Sequence, residues 1–315
     1  MQEKSENLLK LLLLKYTIFA MKKLVLIDGH HFIFRAFYGI RELINSKWEH
    51  INAVYGFASM LFNIIMQEQP DFLAITFDKG KSFRHTADDT YKWTRKKQPD
   101  EFYSQLPRVF EMVDVMWIPA FSVPNYEADD VMWTMAKMFW KDDVQVSIMT
   151  WDRDLLQLID SNITIACPQN GKKEYLYFDK EKTFEKYWLT PNQIVDMKWL
   201  AWDSADNIKW VWGIGPKTTE NLLTEYKTLE WVYENLDKIK WKVQEKLIND
   251  KESAFMSKYL ATIITDIDMK INLEDLKYWG ISQDVVKFFD ELESKSLKNK
   301  VQMFLKPDEN QMTLV

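Results

Sequence analysis

"KLVLID" (Lys23 to Asp28) is a short apolar run closed by an acid. Two later segments share its shape, "FLAITFD" (Phe72 to Asp78) and "VQVSIMTWD" (Val144 to Asp152). Apolar, β-branched runs of this length read as buried strands of a parallel sheet. Helical patterns lie between them, at about Ala53 to Gln67, Glu101 to Val115 and Ala128 to Phe139. That alternation predicts an α/β fold with right-handed crossovers. "ITIAC" (Ile163 to Cys167) reads as a further strand, and "EYLYF" (Glu174 to Phe178) follows a turn at Asn170-Gly171. After about Tyr187 strand signals vanish, and helical ones run on to Leu297. The expected domains are therefore 21–187, built on the sheet, and 188–305, all helical. A polar tail occupies 306–315.

The strands matter because of how they end. In an open parallel sheet the carboxyl ends of the strands share one edge, where ligands bind. Asp28, Asp78 and Asp152 should meet there. "YEADD" adds Glu127, Asp129 and Asp130 at a helix start, Asp154 follows Asp152 by two, and "WDSADN" adds Asp203 and Asp206. Crowded carboxylates raise one another's pKa unless a cation intervenes. All-oxygen ligation suits Mg²⁺ or Mn²⁺. Two such ions side by side serve in-line attack on a phosphodiester. Each cluster alone has a plainer explanation, since Glu127 and Asp129 could complement a helix dipole and Asp203 could be an N-cap.

Composition sets outer bounds. The chain has 315 residues, 47% of them hydrophobic, and a net charge of −6. The acidic balance argues mildly against a nucleic-acid binder, although acids gathered at a metal site distort the total. One cysteine, Cys167, allows neither an intramolecular disulfide nor a Cys/His zinc pattern, which fits a reducing cytoplasm. No run of about 20 apolar residues occurs, so no membrane span is expected. "LLKLLLLKYTIFA" (Leu8 to Ala20) is broken by Lys10 and Lys15, and Met21 opens a natural-looking start. Residues 1–20 are therefore expected to be a non-native extension.

The motifs "LIDGHHFIFRAFY", "FDKGKSFRH", "YKWTR", "YEADD", "DRDLLQL", "WDSADN" and "GIGPKT", in that order, resemble the bacterial 5′ nuclease family. This is the flap endonuclease or 5′→3′ exonuclease domain found at the N-terminus of DNA polymerase I, here resembling a free-standing form. The resemblance implies a PIN-like nuclease domain followed by a helical helix–hairpin–helix-type (H3TH) DNA-binding domain. It implies metal-site roles for Asp28, Asp78, Glu127, Asp129, Asp130, Asp152, Asp154, Asp203 and Asp206. It also implies two Mg²⁺, replaceable by Mn²⁺, and catalytic gateway roles for Arg84 and Lys92, with Arg95 as a DNA contact. Branched, nicked or flapped duplex DNA is the implied substrate, cut during primer removal and repair by a cytoplasmic monomer. Tyr91 could stack on an unpaired base or simply pack. His30 and His31 are expected to pack or cap locally, not to act as a base, and His85 could contact substrate beside Arg84. A related PIN-like ribonuclease and a non-catalytic DNA-binding protein are the alternative readings.

"GIGPKT" (Gly213 to Thr218) fits a glycine hairpin entering a helix. Gly213 and Gly215 permit close backbone approach, the helix start offers N–H groups, and Lys217 and Thr218 complete a phosphate grip. Yet Trp202, Trp210 and Trp212 crowd this stretch. The family usually carries glycine at Trp151, Trp202 and Trp210, and Trp117, Trp133 and Trp188 resemble glycine positions too. About 7% glycine is usual, or roughly 22 residues here. The chain has eight, and fourteen tryptophans match the deficit. Some lineages read the UGA codon as glycine, and translation with a tryptophan table would give this pattern. Finally, "QMTLV" (Gln311 to Val315) is similar to the short peptides that dock on the bacterial sliding clamp, with Val315 where an aromatic is more usual.

Overall fold

The computed structural model describes residues 21–140, 143–169, 174–200, 207 and 211–305, without the side chains of 198–200. Six strands form one sheet: β1 (Lys22–Asp28), β2 (Phe72–Thr76), β3 (Ala120–Phe121), β4 (Val144–Met149), β5 (Ile163–Pro168) and β6 (Tyr175–Phe178). Their order is β3-β2-β1-β4-β5-β6. All neighbours are parallel except β5 and β6, which pair antiparallel. β1 lies near the middle, and Leu24 to Ile27 are wholly buried. Successive strand side chains face opposite ways. Leu24 and Leu26 join the core with Val131 and Trp133, while Val25 and Ile27 join Phe32 and Phe57 on the other face. This two-sided burial is why the run is apolar without alternation.

Helices α1 (Gly29–Gly39), α2 (Asn52–Glu68), α3 (Phe83–Ala87), α4 (Asp100–Val115) and α5 (Ala128–Phe139) fill the crossovers. α1 follows β1 without a loop. A Cβ at Gly29 would lie 2.2 Å from the Phe77 ring, so this junction admits only glycine. The Asp28 carboxylate caps α1 by accepting from the His31 N–H at 3.2 Å.

Helices then dominate: α6 (Lys180–Tyr187), α7 (Pro191–Leu200), α8 (Pro216–Tyr226), α9 (Leu229–Glu234), α10 (Trp241–Asn249), α11 (Lys251–Ala261), α12 (Asp284–Glu291) and α13 (Lys295–Leu305). The stretch 188–305 is not one spatial unit. Val285 and Phe289 of α12 and Leu297 and Val301 of α13 join the core of α2 and α4. Periodicity predicts that these helices are amphipathic, but not which core receives them. Asp203, Asp206, Trp202 and Trp210 lie outside the described residues, as do the 1–20 extension and the Gln311–Val315 peptide. Among the described residues no helix is long and apolar enough to cross a membrane.

Candidate active site

The carboxyl edge of β2, β1 and β4 opens into a cleft of about 440 Å³. Asp28, Asp78, Glu127, Asp129, Asp152 and Asp154 all line it. β1 ends on Asp28, the loops after β2 and β4 carry Asp78, Asp152 and Asp154, and the entry to α5 supplies Glu127 and Asp129. Residues up to 126 positions apart in the chain thus reach one cavity, because parallel strands end on the same side.

Local bonds hold each acid. Asp28 Oδ2 accepts from Thr150 Oγ1 at 3.1 Å and stands 2.5 Å from His31 Nδ1. The Asp78 carboxylate accepts the Ala128 N–H at 2.7 Å, which caps α5. Asp152 Oδ1 accepts the Asp154 N–H at 2.8 Å. Glu127 accepts from Ser82 Oγ, Tyr91 Oη and Lys92 Nζ at 3.0, 3.2 and 2.9 Å.

The electrostatics are those of crowded anions. Burial, then the charges of Asp28 and Asp152, push the Asp129 carboxyl well above the usual range. Burial works against the Asp28 carboxylate, but His31 holds it below its ordinary value. The Asp28 charge, the largest cause, raises His31 to about 10. Burial also opposes the Glu127 charge, while Lys92 and Arg84 keep that carboxyl low. Among the described residues, no three or more His, Cys, Asp or Glu side chains form a finished metal cage. The bonds to His31, Thr150 and Ala128 occupy oxygens that a cage would use. The donor set itself fits a hard divalent cation: it is all carboxylate, and Asp129 carries mutual repulsion that a cation would relieve.

Two expectations need correction. Asp130 does not line the cleft. Its carboxylate accepts from Arg84 Nη1 and Nη2 at 2.6 and 2.8 Å and from the Ile264 N–H at 2.8 Å. Nor does Arg84 stand free above the acids. It is 3% exposed and also donates to the carbonyls of Leu260 and Thr262. Burial opposes its charge, but the Asp130 bonds raise its pKa above the arginine norm. Four of its five N–H donors are thereby committed inside the protein. Arg84 reaches the cleft only as part of its wall.

Lys92 and Arg95 line the cleft as well. Lys92 is bonded to Glu127 and lies 5.0 Å over the Tyr91 ring. Tyr91 is buried, so it has no open face for a base. His30 packs edge-on against Phe77, and its Nδ1 accepts the Asp78 N–H at 3.0 Å. His85 accepts from the Ser82 N–H at 3.2 Å in a capping box. Burial keeps the half-buried Cys167 thiol high, at about 11. Sequence reasoning missed Thr150 and Ser82, the hydroxyls that orient Asp28 and Glu127. Thr150, directly before the Trp151-Asp152 pair, carried a usable signal.

At the hairpin, Gly213 has φ +77°, a conformation side chains rarely adopt. Gly215 precedes α8, no side chain caps this start, and Thr218 bonds back to the Gly215 carbonyl. Lys246 of α10 donates to the Gly213 carbonyl at 2.7 Å. Lys217 instead pairs with Glu220 at 2.8 Å.

A parallel sheet whose strand ends gather carboxylates, followed by helices with a glycine hairpin, defines a resolvase-like nuclease fold. Residues 23–188 match the model of the 5'-3' exonuclease N-terminal resolvase-like domain, and residues 189–284 match the 5'-3' exonuclease C-terminal SAM fold. The chain belongs to the 5′-3′ exonuclease family. It is 39% identical over 283 residues to DNA polymerase I of Bacillus subtilis, covering 89% of this chain and 32% of that protein. DNA polymerase I of Streptococcus pneumoniae strain R6 is 40% identical, with 90% and 33% covered. The chain thus spans about a third of the length of these relatives. Among solved structures, T5 D15 protein co-crystallised with metal ions superposes with a TM-score of 0.62 at 20% identity, covering 90% of this chain and 98% of that one. The catalytic core of Rad2 in complex with DNA substrate gives 0.61 at 15%, covering 92% and 93%.

Proposed function

We propose that the protein is a structure-specific 5′ nuclease that cuts DNA, and RNA-primer, phosphodiesters near the 5′ end of a flap or nick. The observation that carries this reading is the convergence of six acids with Lys92 and Arg95 in one cleft. Asp28, Asp78, Glu127, Asp129, Asp152 and Asp154 would hold divalent ions, Mg²⁺ being the proposed physiological choice; when bound, these supply a nucleophile at neutral pH and neutralise phosphate charge. Lys92 and Arg95 hold the phosphate strand over the acids. Ser82 and Tyr91 orient Glu127, and Thr150 orients Asp28. The hairpin at Gly213–Thr218, with Lys246, grips duplex backbone without reading bases. Similar structures, a T5 flap endonuclease in complex with DNA and metal ions and the Rad2 catalytic core in complex with DNA substrate, support the same substrate class. A cytoplasmic monomer that meets a sliding clamp through Gln311–Val315 completes the proposal.

The test uses a 5′-labelled flap duplex and single-stranded RNA, each with Mg²⁺ and with chelator. Mg²⁺-dependent release of the flap is expected. Cleavage of the RNA alone would favour a ribonuclease, and binding without cleavage would favour a non-catalytic DNA-binding protein.

A further inference from the structure

We propose that a second pocket, beside the acid cleft, binds a backbone phosphate of the same DNA substrate; this rests on the nuclease reading above. The loop 151–154 alternates between two cavities. Asp152 and Asp154 line the acid cleft, whereas Trp151 and Arg153 line a pocket of about 360 Å³. Arg35 of α1 and Lys186 of α6 line that second pocket too. Three cations from separate elements therefore face one cavity, and no acid is among its lining residues. In a chain of net charge −6 this is a local inversion of sign. Like charges gathered at one place repel, and an anion offsets that cost. Lys92 and Arg95 line the acid cleft and Arg153 and Lys186 the pocket behind the same 151–154 loop, so a bound strand would meet cations in two places.

The test is the double variant Arg153→Gln/Lys186→Gln, assayed on the flap duplex at 50 to 200 mM salt. The expected result is a KM raised about tenfold and a salt slope reduced by about one, for the one phosphate no longer held. Arg153→Lys/Lys186→Arg should restore most of the affinity. Unchanged KM and slope in the double variant, with an active parent protein, would overturn the pocket alone. An inactive parent would instead overturn the nuclease reading.

A separate observation concerns the tryptophans. Trp48, Trp117 and Trp188 have φ of 63°, 59° and 57°. An aromatic residue is rare in that left-handed region, and glycine is the ordinary occupant. Trp188 ends α6 there, as glycine commonly ends helices. The three are also 84%, 64% and 64% exposed, so packing does not explain their indoles. In the interior, Trp133 and Trp151 leave their Nε1 donors without a partner. We infer that glycine is the native residue at positions 48, 117 and 188, encoded by UGA. UGA codons there are expected, and Trp48→Gly, Trp117→Gly and Trp188→Gly should each raise Tm. UGG codons, or a lower Tm in all three variants, would sink the inference.

Discussion

Asp129 and Asp130 are neighbours on the first turn of α5, yet they serve opposite regions. Asp129 faces the cleft among other carboxylates, and its charge is disfavoured there. Asp130 faces inward, and Arg84 satisfies it on both oxygens. One region stores repulsion that a cation would relieve. The other spends its ions on joining α3 and α5 to the end of α11. The difference teaches that an acid-rich motif does not assign a role to each acid. A rotation of about 100° per residue around a helix separates ligand from strut.

The strongest way to break this comparison is Arg84→Met. Removing one partner of a buried pair leaves Asp130 uncompensated and should cost about 3–5 kcal/mol of stability. Urea melts check this, and Arg84→Met with Asp130→Leu should recover much of the loss. If Arg84 instead acts on substrate, the single variant will melt normally and lose only activity. Asp129→Asn comes next. It should lower kcat by at least ~10²-fold, the scale of losing one key electrostatic group. It should also raise the Tm of the chelated protein, since it removes a disfavoured charge. A chelated Tm equal to that of the parent would deny the repulsion.

Two smaller effects sharpen the picture. His31 has a folded pKa raised by Asp28 above its unfolded value of about 6.5. Its extra stability is complete below that unfolded pKa and is lost as pH rises toward about 10. Melts of the chelated protein from pH 6 to 10 should show this decline, and His31→Gln should flatten it. Tyr91→Phe removes one hydrogen bond to Glu127 and should cost about 1 kcal/mol or less, seen mainly as a modest loss of kcat.

The sheet was legible because burial on both faces writes an uninterrupted apolar run. β1, β2, β4, β5 and β6 match expected segments to within a few residues at either end, and Asp28, Asp78, Glu127, Asp129, Asp152 and Asp154 line one cleft. β3 escaped because two residues carry no periodicity. α1 was not anticipated because it starts without a loop, where Gly29 replaces the usual turn signals. The burial of Arg84 was illegible for a different reason. "SFRH" says nothing of Asp130, Leu260 and Thr262, which lie 46 to 178 positions away. A buried arginine and a substrate-facing one have the same local spelling.

The guanidinium of Arg84 is a rivet through both halves of the molecule. It fastens the carbonyls at the end of α11 to the helix that carries Glu127 and Asp129. The end of α11 is thereby tied to the wall of the carboxylate cleft. Under the proposed nuclease function, a slackened rivet should spread incisions over neighbouring nucleotides instead of letting them fall at one.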